Sequence, residues 1–212
     1  LFNLIDSAMI GRLGPEALAG CGLGGQINWV VVAVFLGLSV GVQAITARRH
    51  GEENEAAAAS VLNNSLLFQV VTVPYAVLVF IFAEDIFSIF ANDGAVIANG
   101  APYLAARVIS IPFVGLNAAF AGYFNGIHRT IEQLKVVLFI HAANIILNLV
   151  LIFGFMFIPA LGTTGAGIGT SIANFIGTCL YMRLAFSTAG GRGFFKLGSI
   201  SKEIISGIFK LS

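Results

Sequence analysis

The chain has 212 residues, 58% of them hydrophobic and 10% charged, with a net charge of +1 and a mean hydropathy of +0.94. Soluble domains carry roughly 25% charged residues, so a water-coated globule is excluded. The absence of a Lys/Arg cluster or basic stripe argues against a nucleic-acid partner. A signal peptide would explain one apolar stretch, but here such stretches recur along the whole length.

A spanning helix needs ~20 mostly apolar residues. The first run, Leu1 to Ile10, opens inside an apolar stretch and reads as the end of a span. The turn Gly11-Arg12-Leu13-Gly14-Pro15 follows it. A second span is predicted from about Ala17 to Ala47, closed by Arg48-Arg49-His50-Gly51 and the acidic Glu52, Glu53 and Glu55. A third runs from about Ala57 to Phe82. A polar break at Glu84-Asp85 and Asn92-Asp93-Gly94 separates it from a fourth, about Ala95 to Phe124. After Asn125-Gly126-Ile127-His128-Arg129-Thr130 comes a fifth, about Leu134 to Ile158. A short turn at Pro159 and Gly162 leads to a sixth, about Gly165 to Phe186. A Gly-rich basic segment within 189–203 reads as a linker, and 204–212 as the start of a seventh helix. Both ends read as truncations.

These runs are far longer than the ~10 residues of a barrel strand and lack alternation. In lipid the backbone must satisfy its own hydrogen bonds, which leaves helices. The predicted fold is all-α, a polytopic transmembrane bundle of about six spans. Arg48, Arg49, Arg129, Lys135, Arg183, Arg192, Lys196 and Lys202 follow even-numbered spans, against Arg12 alone on the other side. By the positive-inside rule the loops after even-numbered spans are cytoplasmic.

Pro74 and Pro112 lie inside spans three and four, where each removes a backbone donor and invites a kink. Gly37 and Gly41, and Gly165 and Gly169, are four apart and place small residues on one helix face. The run Gly165-Ala166-Gly167-Ile168-Gly169-Thr170 lacks the preceding strand and following acid of a dinucleotide loop. Cys21 and Cys179 have no second Cys or His at metal-ligand spacing and read as apolar packing residues. Asn63-Asn64-Ser65 matches a glycosylation sequon but falls in a helix or on the cytoplasmic side.

Nine of the ten acidic residues lie in loops or near helix ends, and the exception is Asp6. A carboxylate within a span is costly and marks an ion or proton pathway. The bland alternative is an Asp reaching water at a span end. On span five, His141, Asn144 and Asn148 are spaced three and four apart and share one face. Asn offers carbonyl oxygens as cation ligands, and interhelical hydrogen bonding is the competing reading. His141 on this face reads as structural, and Thr170 in span six offers a hydroxyl. Together Asp6, Asn144, Asn148 and Thr170 would make an all-oxygen cluster, suited to a hard cation or a proton. Arg107 either snorkels outward or pairs with a buried acid. Gln43, Asn28 and Asn117 line an aqueous cavity or tie helices together. A membrane enzyme would need clustered His, Asp or Glu inside spans, and only Asp6 and His141 qualify.

Several of these segments resemble the multidrug and toxic-compound extrusion (MATE) family. Ile5-Asp6-Ser7-Ala8-Met9-Ile10-Gly11-Arg12-Leu13-Gly14 is similar to its first-helix signature, and Ala17-Leu18-Ala19-Gly20 to the opening of its second helix. Gly41-Val42-Gln43-Ala44 with Ala47-Arg48-Arg49-His50-Gly51 is similar to the end of the second helix. Tyr103-Leu104, Arg107 and Pro112-Phe113 resemble the fourth. Asn144-Ile145-Ile146-Leu147-Asn148 with Leu151-Ile152-Phe153-Gly154 resembles the fifth, and Leu161-Gly162, Gly165-Ala166-Gly167 and Thr170 the start of the sixth.

The resemblance implies twelve helices in two six-helix lobes, with 1–188 as the first lobe. It implies an antiporter that exports organic cations, drugs or other amphipathic compounds by alternating access, driven by Na⁺ or H⁺ and needing no cofactor. It implies an ion site at Asp6, Asn144, Asn148 and Thr170; Gln43, Asn117 and His141, as polar groups inside spans, are the candidates for the substrate cavity. The expected partners are membrane lipid, a small organic substrate and a second lobe. Some family members carry a second carboxylate where Asn148 stands, so one formal negative charge remains here, compatible with either ion. A lipid-linked oligosaccharide flippase of the same superfamily is the alternative, and a more cationic cavity would favour it. A membrane enzyme or structural subunit is the reading from another class.

Overall fold

A computed structural model describes residues 2–188, which fold into helices α1 (Phe2–Gly11), α2 (Pro15–Gly51), α3 (Glu55–Phe68), α4 (Thr72–Ile81), α5 (Ala83–Phe90), α6 (Gly94–Val108), α7 (Ile111–Gly126), α8 (Thr130–Phe153) and α9 (Gly162–Thr188). The linker and seventh-helix segments expected over 189–212 lie outside the described residues. A 3₁₀ turn, Gln69–Val71, joins α3 to α4. Among the described residues the extended pairing is one antiparallel bridge, Phe155 with Ile158. The all-α expectation holds.

Three stretches, Pro15–Gly51, Glu55–Ile81 and Thr130–Phe153, are long and apolar enough to cross a membrane, and α6 with α7 makes a fourth if that bent pair is one span. α9 has the length, 27 residues, with Gly, Thr, Ser and Asn replacing part of its aliphatic content. Val30, Ile81 and Ile146 are more than 60% exposed. Side chains of this kind repeated along spanning helices face lipid rather than water.

The helix breaks follow from proline chemistry. Pro74 cannot donate to the carbonyl of Val70, and its ring crowds that carbonyl. The chain tightens to 3₁₀ just there, and the Thr72 hydroxyl donates to the Gln69 carbonyl. Pro112 does the same to Val108. The predicted continuous fourth span is therefore two helices, α6 and α7, separated by a break at Ile109 and Ser110. Ser110 caps the break, its amide and hydroxyl both donating to the Arg107 carbonyl at 3.0 and 2.6 Å.

Two further expectations are corrected. The polar break at Glu84-Asp85 is a helix, α5, because Ala83 and Phe87 form a buried stripe while Glu84 and Asp85 occupy the favourable first turn. Asp93 then caps α6, accepting from the amide of Ala95 at 2.8 Å. The fifth span ends at Phe153, not Ile158. Gly154 takes φ +79°, a left-handed helix stop that side chains resist, and 155–158 form a tight turn.

The chain divides into two compact units. Among the described residues the first comprises 2–31, 73–111 and 139–175. Its core joins Met9 and Ile10 of α1, Ala17 and Cys21 of α2, Tyr103 of α6, Ile152 of α8 and Ala166 of α9. α9 is tied to α6 by Ser171 donating to the Ala106 carbonyl and Thr163 to the Asn99 carbonyl, at 2.8 and 2.9 Å. Gly165 abuts the backbone of Leu151 and Gly169 the side chain of Asn148, so the predicted small-residue face seats α9 against α8.

Among the described residues the second unit comprises 32–72, 112–138 and 176–188. Tyr181 stacks on Phe120 and Phe124, with centroids 5.6 and 6.0 Å away. At the α2–α3 turn, Glu52 accepts from Arg48 and Arg49 at 3.0 and 3.1 Å. These two hydrogen bonds, with Arg48 foremost, hold the Glu52 carboxyl below its ordinary value. A carboxyl depressed in the folded state contributes stability at neutral pH that is lost as pH falls through its folded value. Its exposure to solvent keeps that contribution small. Carboxyl NMR titration of Glu52 is expected to give a midpoint below the usual Glu range, returning to it when Arg48 and Arg49 are both changed to Gln.

Candidate ion-coupling site

All four predicted oxygen-bearing residues fall in the first unit, and they form one connected network. Asp6 sits on α1, Asn144 and Asn148 one turn apart on α8, and Thr170 on α9. The Asn148 amide Nδ2 donates to Asp6 Oδ1 at 3.0 Å and, more weakly, to Asn144 Oδ1 at 3.4 Å. Asn144 Nδ2 donates to Thr170 Oγ1 at 3.1 Å. Thr170 passes its own proton to the Ala166 carbonyl at 3.0 Å. Asn144 and Asn148 are buried, and Asp6 is half-buried. Arg107 and His141 act electrostatically on the Asp6 carboxylate.

Local sequence explains the convergence. The i, i+4 spacing stacks the two asparagines on one face of α8. Without side chains, Gly165 and Gly169 let α9 approach that face closely enough for Thr170 to reach Asn144. Asn148 Oδ1 is buried beside Gly169 and has no partner among the described residues. A buried acceptor left open is costly, and here it lies within a cluster whose other oxygens suit a hard cation. A methyl added at residue 169 would collide with that oxygen. Gly169→Ala is therefore expected to push Asn148 off Asp6 and break the hydrogen bond between them. The side-chain amide NMR signal of Asn148, followed beside a thermal-stability check, reads this directly.

The substrate-cavity candidates scatter. Asn117 lies in the second unit, where it accepts from Thr178 Oγ1 at 2.9 Å. Gln43 is in the same unit, with its backbone against Gly122 and Gly126. His141 belongs to the first unit and is half-buried. None of the three lines the first unit's cavity of about 490 Å³, whose walls include Asp6, Cys21, Asn28, Trp29, Tyr103 and Arg107. Reading the sequence missed Tyr103 and Arg107 as a pair, although their spacing of four was a usable signal. The Arg107 guanidinium donates to the Tyr103 hydroxyl and lies 5.5 Å from the centre of its ring.

The MatE family model matches residues 1–153, which include Asp6, Asn144 and Asn148. The chain belongs to the MatE family. MatE proteins are multi-pass membrane proteins, in line with the apolar helices here. A relative from Thermotoga maritima, described as "Probable multidrug resistance protein NorM", is 26% identical over 187 residues, covering 88% of this chain and 40% of its own length. A relative of the same description from Pseudomonas putida is 28% identical, covering 82% of this chain and 38% of its own length. The chain thus spans about two fifths of the length of these curated relatives.

The structures of this family share its fold. A MOP superfamily transporter from Pyrococcus furiosus matches with TM-score 0.88 at 22% identity, covering all of this chain and 46% of its own. A multidrug resistance MATE transporter in its inward-facing conformation gives 0.85 at 22% identity, covering 99% of this chain and 48% of its own. An outward-facing conformation also gives 0.85 at 22% identity, covering 100% and 47%.

Proposed function

We propose that this chain forms the ion-coupling lobe of a Na⁺- or H⁺-driven antiporter that exports organic cations, drugs or other amphipathic compounds. The observation that carries this is the hydrogen bond from Asn148 to Asp6, the carboxylate on α1, extended through Asn144 to Thr170. A second lobe would complete the transport path, in the plasma (inner) membrane with the loops after even-numbered spans cytoplasmic. The flippase alternative gains nothing from the cavity, whose charged lining is one Arg and one Asp.

The chemistry of loading follows from the Asn148 amide. With Asp6 ionised, Asn148 presents Nδ2 to the carboxylate and leaves Oδ1 without a partner. When Asp6 is protonated, or when Na⁺ sits beside it, the group needed at that position is an oxygen. Turning the amide over supplies Oδ1 to the proton or the cation. One side chain thus serves both states, and the exchange biases whichever lobe arrangement the loaded site prefers. Equal likeness to inward-facing and outward-facing structures supports a lobe that keeps its fold through the cycle.

The test is dye efflux from vesicles bearing the intact transporter, with a Na⁺ or H⁺ gradient imposed separately. Efflux that follows one of the gradients is expected. Efflux indifferent to both would remove the antiport reading.

A further inference from the structure

The short helix α5 is divided into three sectors. Ala83 and Phe87 are buried, and the Phe87 ring abuts Gly100 of α6, which fixes α5 to the first unit. Glu84, Asp85 and Ser88 are exposed on a second side. Ile86, Ile89 and Phe90 occupy the third, where Ile89 is 77% exposed. Spacings of three and four hold each set to its own side of the helix. A second apolar group stands at the same end of the unit. Phe155, Met156 and Phe157 lie in the turn that follows α8, and Phe157 is 94% exposed. Turns in water are built mainly from Gly, Pro, Asn, Asp and Ser. Thr163 at the start of α9 donates to the carbonyl of Asn99 near the start of α6, at 2.9 Å. The α5–α6 and α8–α9 connections therefore share one end. Clustered exposed apolar side chains of this kind mark a contact surface.

We propose that α5 and the 155–158 turn lie in the headgroup–acyl boundary of one bilayer leaflet and seat this end of the protein there. The occupant of both apolar surfaces is phospholipid. Continuity with the lipid-facing sides of the spans carries the assignment. The exposed Ile81 and Phe82 lead from the α4 span directly into α5. The exposed Ile146, Leu149 and Phe153 of α8 lead likewise to the turn. Each apolar strip thus runs past the end of its span without a gap. A helix with one apolar flank and one acidic flank sets the first among acyl chains and the second in water, as interfacial helices do. Residues 72–106 hold no Lys or Arg, and 142–182 hold no charged residue. Anionic headgroups therefore supply no attraction, and burial of apolar surface holds the contact. A zwitterionic leaflet suffices. Anchors at span ends set the depth and tilt of the spans they terminate. On the topology proposed above, this leaflet is the one opposite the cytoplasmic loops.

The test is nitroxide accessibility, read by electron paramagnetic resonance on the intact transporter in phosphatidylcholine vesicles. Single labels enter by Ile89→Cys, Phe157→Cys, Ser88→Cys and Ile146→Cys, with all other cysteines, Cys21 and Cys179 among them, changed to Ala. A melting curve on each variant verifies folding. Dissolved oxygen concentrates among acyl chains, whereas a nickel chelate stays in water. Oxygen is expected to dominate at residues 89 and 157, at a depth of about 5–10 Å. Nickel is expected to dominate at residue 88, and residue 146, inside α8, is expected to lie deeper than all three. Nickel dominating at residue 89 or 157 puts that surface in water and overturns the proposal. Low access of both reagents at either position means that protein covers it, a second lobe included, and overturns the proposal as well. A label at residue 89 as deep as at 146, or residue 88 as oxygen-rich as 89, removes the interfacial placement. None of these readings involves transport, so a failure of the antiport reading leaves them intact.

Discussion

Asp6→Asn is expected to cut ion-driven export by about ten- to a hundredfold while leaving the protein folded and inserted. The substitution keeps size, shape and an acceptor oxygen. Asn148 Nδ2 still has a partner at residue 6, and the chain of bonds to Asn144 and Thr170 persists. What disappears is the single formal negative charge of the network, and with it the capacity to release a proton. A driving ion moves a conformational equilibrium only through different affinity for the two states. Without the carboxylate that difference collapses. Vesicle efflux under an imposed gradient measures the loss, and a melting curve shows that the fold is intact. A variant that exports as well as the parent would remove Asp6 from the coupling step.

Gly100→Leu is expected to have the largest effect on folding. A Cβ at residue 100 would overlap the ring of Phe87 and lie 2.8 Å from the carbonyl oxygen of Gly20. Phe87 is fully buried, and the Gly20 oxygen is backbone, so neither gives way cheaply. Overpacking of this kind costs about 1–3 kcal/mol or more, against a typical total stability of about 5–15 kcal/mol. The cost falls where α2, α5 and α6 meet, which is also where the walls of the cavity are anchored. Yield of monodisperse protein should drop severely and the melting temperature should fall. Gly94→Ala on the same helix meets nothing within 4 Å and is expected to be neutral or slightly stabilising.

The hydrogen-bonded cluster around Asp6 was more legible in the sequence than the details of the fold were. Asp6 stood out because a carboxylate inside an apolar run needs a reason, and Asn144 and Asn148 because their spacing repeats once per turn. Helix periodicity alone, however, could not bring α1 and α9 to α8. Gly165 and Gly169 decide that approach, and their small size is visible in sequence while the neighbour they admit is not. The prolines announced kinks but not the length of the pieces between them. Pro112 splits a predicted single span, and Pro74 displaces its break to Gln69–Val71. α5 was hidden because Glu84 and Asp85, read as a break, are favourable first-turn residues of a short amphipathic helix. The fifth span was extended to Ile158 because Phe155, Met156, Phe157 and Ile158 are apolar. The left-handed φ of Gly154 ends the helix regardless of that. The Gly20–Gly100 contact joins residues eighty positions apart by their numbering, and no local pattern marks such a pairing.

The most direct measurement is counterflow in proteoliposomes carrying the intact transporter. An outwardly applied gradient of exported substrate should drive Na⁺ or H⁺ across the membrane in the opposite direction, followed by a sodium tracer or an internal pH dye. The expected result is ion movement in the parent protein, lost in Asp6→Asn and weakened in Gly169→Ala, with all three proteins folded. Equal substrate-driven ion movement in the parent and in Asp6→Asn would contradict the assignment of the Asp6–Asn148–Asn144–Thr170 network as the coupling site.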